Sequence, residues 1–308
     1  MIDKNETFNG SWPFTPKFST KAGFMQHYVD EGSSDREVII CLHGEPTWGY
    51  LYRAIIPELA KYYRVIVPDH MGFGKSETPQ NRMYTLETHV ENLACLINDL
   101  NLSNITFVGQ DWGGPIAGAY TLRYPERVRR FCLLNTILGY SGPLPNQNLS
   151  PWFKWIEKHN NAGTLTGILG ELNSNLLSIM QILGFQRLSN VDSDWIRAYS
   201  SAFPDRDSCL GAIKFPLDIH LGYCKEFVKK SLKLGNLKLI QQKPAILIEG
   251  MNDNAIHPEN AIADFRRLWP NAPVIELDNI GHFCQEDCPE TLVALIHQFI
   301  QMTPLPVL

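Results

Sequence analysis

Neither a CxxC pair nor an HExxH helix motif occurs among the seven cysteines and nine histidines of this 308-residue chain. The nearest pair, Cys284 and Cys288, has no second pair to complete a zinc site, so no structural metal is expected. Basic residues do not exceed acidic ones, with 27 Lys and Arg against 32 Asp and Glu and a formal net charge of −5. That balance removes the electrostatic case for a nucleic-acid or anionic-membrane partner. No apolar run is long enough to span a bilayer. Met1 to Pro16 is polar and lacks the apolar stretch of a signal peptide. The odd cysteine count, with Cys41 and Cys132 inside apolar runs, suits buried reduced thiols. We therefore expect a cytoplasmic protein. Neither internal repeats nor low-complexity segments interrupt the chain.

Apolar residues are plentiful, at 44%, enough for a large core. Short apolar runs alternate with longer helical patterns. Val38–Leu42, Val65–Val67, Ile105–Val108, Phe131–Leu134, Ala245–Ile248 and Val274–Leu277 read as strands. Near-continuous apolar runs of this length fit strands buried on both faces of a parallel sheet. Helical spacing fills Tyr50–Tyr62, Leu86–Leu100, Pro115–Tyr124, Asn260–Trp269 and Glu290–Gln301. The alternation predicts an α/β fold with βαβ crossovers. Segments around Lys17 and Met25–Val29 predict an antiparallel edge. From about Tyr140 to Leu234 the rhythm breaks into helical pieces and loops. An insertion there, after the strand ending near Asn135, would cover the carboxyl end of the sheet, where ligands bind. The expected division is a catalytic domain of 1–139 and 235–308 and a helical cap of 140–234.

The most informative segment is Gly109-Gln110-Asp111-Trp112-Gly113-Gly114. It follows an apolar strand and opens a helical pattern, the setting of a nucleophile elbow with aspartate in place of serine. A carboxylate there forms an ester with an sp3 carbon. The plainer reading is an Asp capping the following helix. Asp253, after the strand ending at Ile248, and His282, after the last strand, complete a nucleophile–acid–histidine order. His282 would activate water against the ester, and Asp253 would orient the imidazole. Singly, each is an ordinary loop residue; their order and common edge carry the argument.

With those residues in view, the chain resembles the haloalkane dehalogenases, in particular the subgroup with an Asp-His-Asp triad. The matching segments are His43-Gly44-Glu45-Pro46-Thr47-Trp48, Pro68-Asp69-His70-Met71-Gly72-Phe73-Gly74, Gln110-Asp111-Trp112, Gly250-Met251-Asn252-Asp253 and Gly281-His282-Phe283. Ala202-Phe203-Pro204-Asp205 and Lys214-Phe215-Pro216 match within the cap, whereas Asn146–Asn190 matches poorly. The resemblance implies the α/β-hydrolase fold, with helices on both faces of a mostly parallel sheet and an inserted helical lid. It also implies hydrolytic dehalogenation of a haloalkane to alcohol and halide, with no cofactor or metal, in a monomer or weak homodimer. It places the oxyanion hole at the backbone N–H groups of Glu45 and Trp112, and one halide donor at the Trp112 indole. A second donor is implied early in the lid, where Trp152 and Trp155 are candidates. One register there instead places Phe153, which has no N–H, in that position. Asn135–Leu138, an acid position in other subgroups, holds no carboxylate.

Two other functions fit parts of the pattern. Epoxide hydrolysis uses the same Asp-His-Asp core but needs lid hydroxyl donors, for which Tyr199 and Tyr223 are available. A non-catalytic ligand receptor on the same fold would carry the triad without turnover.

Overall fold

The computed structural model describes residues 2–305. Eight strands form one sheet: β1 (Lys17–Ser19), β2 (Gln26–Glu31), β3 (Val38–Leu42), β4 (Arg64–Pro68), β5 (Ile105–Gln110), β6 (Val128–Leu134), β7 (Ala245–Gly250) and β8 (Val274–Leu277). Their order is β1-β2-β4-β3-β5-β6-β7-β8. The expected antiparallel edge is present: β1 pairs with β2 and β2 with β4 in antiparallel sense. The other five pairings are parallel. Every residue of β3, β5 and β7 is buried, which explains why those strands read as unbroken apolar runs.

The chain leaves β3 toward β4 on one side, then returns to place β5 on its other side. That reversal is a topological switch point, and it lies between the carboxyl ends of β3 and β5. The register keeps the strand ends level, with Leu42 opposite Gly109, Gln110 opposite Leu134, and Leu134 opposite Ile248. Loops following four neighbouring strands therefore open along one edge.

Helices α1 (Ile56–Ala60), α2 (Leu86–Asp99) and α3 (Gly113–Arg123) belong to the first half of the sheet. The long helix expected over Tyr50–Tyr62 is instead a 3-10 turn at Gly49–Tyr52 followed by the short α1. Pro57 stands in the first turn of α1, where its missing N–H costs nothing but where it cannot continue a preceding helix. Between β6 and β7 no strand forms among the described residues. This stretch holds α4 (Pro151–Asn161), α5 (Leu165–Leu169), α6 (Leu172–Leu183), α7 (Ser193–Ser200), α8 (Leu210–His220), α9 (Cys224–Leu234) and α10 (Leu237–Gln241). The chain closes with α11 (Pro258–Leu268), α12 (Cys284–Asp287) and α13 (Pro289–Met302). No described helix is long and apolar enough to cross a membrane. All seven cysteines are free thiols.

Candidate active site

Asp111 sits at the turn between β5 and α3 with φ of 51°, in the left-handed region that Asp tolerates better than most residues. The turn is tight: a Cβ at Gly109 would meet the Gly113 carbonyl carbon at 2.9 Å. Its backbone is pinned from β6 and the loop after it. Asp111 N–H donates to the Asn135 carbonyl at 3.3 Å, and the Thr136 hydroxyl donates to the Asp111 carbonyl at 2.5 Å. One carboxylate oxygen, Oδ1, accepts from the Glu45 backbone N–H at 2.8 Å. The other, Oδ2, lies 3.5 Å from His282 Nε2.

His282 is fully buried, and its Nδ1 lies 2.8 Å from Asp253 Oδ2. Asp253 is in turn fixed by three donors. Its Oδ2 accepts from Asn135 Nδ2 at 3.0 Å, and its Oδ1 accepts from the N–H groups of Ala255 and Ile256 at 2.7 and 2.9 Å. The structure thus brings Asp111, His282 and Asp253 into one line, with a hydrogen bond between His282 and Asp253 and a 3.5 Å contact between His282 and Asp111. Two residues outside the sequence expectation support that line. Asn135, just after β6, bonds reciprocally with the backbone of Gly250 as well as with Asp253. Gln110 Nε2 donates to the His282 carbonyl at 3.1 Å and lies 3.0 Å from His282 Nε2. Both stand at strand ends beside the motif, yet Asn and Gln there carry no signal separable from ordinary turn residues.

Burial alone would push the His282 imidazole down. The negative charge of Asp253, then that of Asp111, outweighs it and holds the group up at about 10. The imidazolium is therefore favoured in the folded chain well above its ordinary value of 6.5. Its stabilising contribution is complete below about pH 6.5 and is lost as pH rises through about 10. We expect the unfolding free energy of the wild type to fall, relative to His282→Gln, between those values. Denaturant titrations showing a constant difference across that interval would contradict a paired imidazolium.

Asp111 and Trp112 open onto a cavity of about 480 Å³, shared with Glu45, Trp152, Phe153 and Pro216. Polar side chains of Gln147, Asn148, His220 and His257 also line it. The volume suits a small organic ligand. Trp112 stacks on Phe215 with ring centroids 4.3 Å apart. Among the described residues, neither the Trp112 nor the Trp152 indole N–H has a protein acceptor. Trp155 does not reach the cavity. It stacks on Trp152 at 5.2 Å and packs at a tilt against His159 at 4.6 Å, so its ring is engaged outside the cavity. Of the two early-lid candidates, Trp152 lines the cavity, with Phe153 beside it on the wall. Tyr199 donates to Glu286 at 2.5 Å, Tyr223 is 65% exposed, and neither lines the cavity. The Glu45 carboxyl is buried with both oxygens unpartnered. Burial, and then the charge of Asp111, drives its pKa well above the usual carboxylate range and favours the neutral form.

Residues 37–165 match the alpha/beta hydrolase fold family. Over nearly its whole length the chain is also similar to curated enzymes. It is 32% identical over 306 residues to the cis-3-alkyl-4-alkyloxetan-2-one decarboxylase of Xanthomonas campestris pv. campestris, covering 96% of this chain and 98% of that one. It is 32% identical over 286 residues to a haloalkane dehalogenase of Psychrobacter cryohalolentis, covering 90% and 88%. The chain belongs to the haloalkane dehalogenase-like α/β hydrolases. Among solved structures, the tetrameric haloalkane dehalogenase from Paraglaciecola agarilytica superposes with a TM-score of 0.75 at 26% identity, covering 96% of this chain and 95% of that one.

Proposed function

We propose that this hydrolase displaces halide from a haloalkane with Asp111 and hydrolyses the resulting ester with water activated by His282. The observation that carries the reading is the Asp111 carboxylate at the cavity wall. One oxygen is bonded to the Glu45 N–H, and the other is 3.5 Å from an imidazole that Asp253 holds at 2.8 Å. In the first step an Asp111 oxygen attacks the sp3 carbon and the C–halogen pair leaves as halide, toward the indole N–H groups of Trp112 and Trp152. In the second step His282 takes a proton from water, and hydroxide adds to the Asp111 carboxyl carbon. The oxyanion is received by the N–H groups of Glu45 and Trp112, and the alcohol departs. Residues 140–234 act as the cap and 1–139 with 235–308 as the catalytic domain.

A leaving bromide is a nearly full charge in a water-poor pocket, and each N–H donor to it contributes on the order of 1.5–3 kcal/mol. Trp112→Phe keeps the stack on Phe215 and removes one donor. We expect bromide release in the first turnover to slow roughly 10- to 150-fold, at about 1.4 kcal/mol per decade. Trp152→Phe should have the same sense. An unchanged burst in Trp112→Phe would remove the indole from the halide site.

A second reading is favoured by the 96% coverage of the oxetan-2-one decarboxylase relative. Asp111 would displace the ring oxygen at an sp3 carbon of a strained lactone, freeing a carboxylate. Loss of CO2 would then pass the C–C electron pair into an alkene and expel Asp111. The first step is shared, and the second needs no water. Epoxide opening is less well served, because no Tyr hydroxyl lines the cavity. The deciding experiment offers 1-bromobutane, 1,2-dibromoethane, styrene oxide and a cis-3,4-dialkyloxetan-2-one. Bromide release supports the first reading; alkene alone, or diol alone, would replace it.

A further inference from the structure

Helix α6 of the cap ends at Gly184, whose φ of 119° is a conformation that residues with a side chain rarely adopt. The segment after Met180 enters the catalytic half of the molecule, backbone against backbone. The Leu183 carbonyl accepts from the Asn254 N–H at 3.1 Å, and the Gly184 carbonyl accepts from the His282 N–H at 3.2 Å. Two successive peptides of the cap thus bridge the loop carrying Asp253 and the loop carrying His282. There is no spare room. A Cβ at Gly184 would meet the Asn252 carbonyl at 2.9 Å, the Asn254 nitrogen at 3.2 Å and the His282 nitrogen at 3.3 Å. A Cβ at Gly281 would collide with the Gly184 carbonyl oxygen. Asp287 fastens the far side. Its Oδ1 accepts from the N–H groups of Arg187 and Gln186 at 2.9 and 3.4 Å, and its Oδ2 accepts from the Gly281 N–H at 2.9 Å.

The nucleophile is held differently. Its hydrogen bonds come from Asn135, Thr136, Glu45 and Gly114, none of them in this cap segment, and only its 3.5 Å contact with His282 links it to a residue held there. We propose that cap residues 183–187 are a positioning element for the base: a wedge that sets the spacing between Asp253 and His282, and so aligns the imidazole on the Asp111 ester. This cap segment would then govern ester hydrolysis and leave the displacement step alone. This rests on the reading that Asp111 carries an ester.

The test compares Gly184→Ala with Gly163→Ala. Gly163 also lies in the cap at positive φ, 69°, but has nothing within 4 Å of a Cβ, so it pays the backbone penalty without touching a loop. Misplacing a catalytic group by a fraction of an ångström to 1 Å costs up to about 100-fold. We expect Gly184→Ala to hydrolyse the ester roughly 10- to 100-fold more slowly. Intact-mass spectra should show the alkyl adduct from 1-bromobutane accumulating, and first-turnover bromide release should keep its wild-type rate. The downfield N–H proton resonance of the His282–Asp253 pair should shift or broaden. Gly163→Ala should match the wild type in all three. Wild-type ester hydrolysis and an unmoved resonance in folded Gly184→Ala would overturn the wedge, as would the same defect in Gly163→Ala. Should Gly184→Ala fail to fold, Asp287→Asn decides by the same readouts, since it turns one accepting oxygen into an amide facing an N–H. His282→Phe serves as reference for the ester itself. If that variant forms no adduct, the ester reading fails on its own, and the resonance, which needs no substrate, still judges the wedge.

Discussion

Asp111→Ala should bring turnover of 1-bromobutane to background while the protein stays folded. The expected loss is on the order of 10⁴-fold or more, the scale seen when a covalent nucleophile is removed. No second carboxylate stands in the turn. Glu45 is the nearest alternative by position, but its carboxyl is buried and favoured in the neutral form, and so a poor nucleophile. Stability should change little. Ala at φ of 51° costs roughly 1–2 kcal/mol, and the imidazolium of His282 loses one of its two carboxylate neighbours. Against that, a carboxylate that was largely buried no longer has to be desolvated. Thermal unfolding within a few degrees of the wild type, together with absent bromide release, is the expected pair of results. Asp111→Asn is a poorer probe, because slow deamidation restores the nucleophile. Wild-type rates in freshly purified Asp111→Ala would reassign the site.

How legible all this was in the sequence depended on how local the signal is. β3 coincides with the run that periodicity marked, because a strand buried on both faces is apolar from end to end; β8 coincides too, although it is only partly buried and carries Glu276. β6 starts three residues earlier than its apolar run, at Val128, since Arg129 and the ion-paired Arg130 interrupt the pattern without interrupting the pairing. The elbow was legible because it needs glycines at fixed offsets around one acid. The cap was legible only as an irregular stretch. Its helices are short, and what they pack against is far away in sequence. Gly184 touches residues about 70 and 100 positions later, a relation that no window of the chain contains. Trp152 and Trp155 show the same limit. They are three residues apart on α4, and only the folded cap decides that the first faces the cavity and the second stacks behind it. Asn135 escaped for the same reason. An amide after β6 supports the acid only because the fold sets that loop beside Asp253, more than 100 residues away in sequence.

His282→Phe should separate the two half-reactions. Attack by Asp111 needs no base, so a bromoalkane should still release about one equivalent of bromide. Hydrolysis should slow by about 10²–10⁴-fold, the usual contribution of a general base, and intact-mass spectra should show a persistent alkyl adduct. The electrostatics give this test its direction. In the resting enzyme two carboxylates hold the imidazole protonated, up at about 10, and an imidazolium cannot accept a proton from water. Alkylation turns Asp111 into a neutral ester, removing its charge from beside the ring. The pull toward protonation then comes from Asp253 alone, while burial still pushes the other way. On the proposed mechanism His282 would thus become a competent base at the moment the ester needs one. The substitution has a structural cost, because Phe leaves the Asp253 carboxylate without its ring partner, at roughly 3–5 kcal/mol. Asn135 and the N–H groups of Ala255 and Ile256 remain bonded to it. His282→Gln, whose amide can still donate to Asp253, guards against simple unfolding and should trap the same adduct. The variant also discriminates between substrates. With a cis-3,4-dialkyloxetan-2-one the second step expels Asp111 without water, so alkene release would survive the loss of His282. Adduct from the bromoalkane beside undiminished alkene from the lactone would assign this chain to decarboxylation. A trapped adduct with no alkene from either protein would assign it to hydrolysis, and a folded variant that is inactive without ever accumulating an adduct would count against an ester on Asp111.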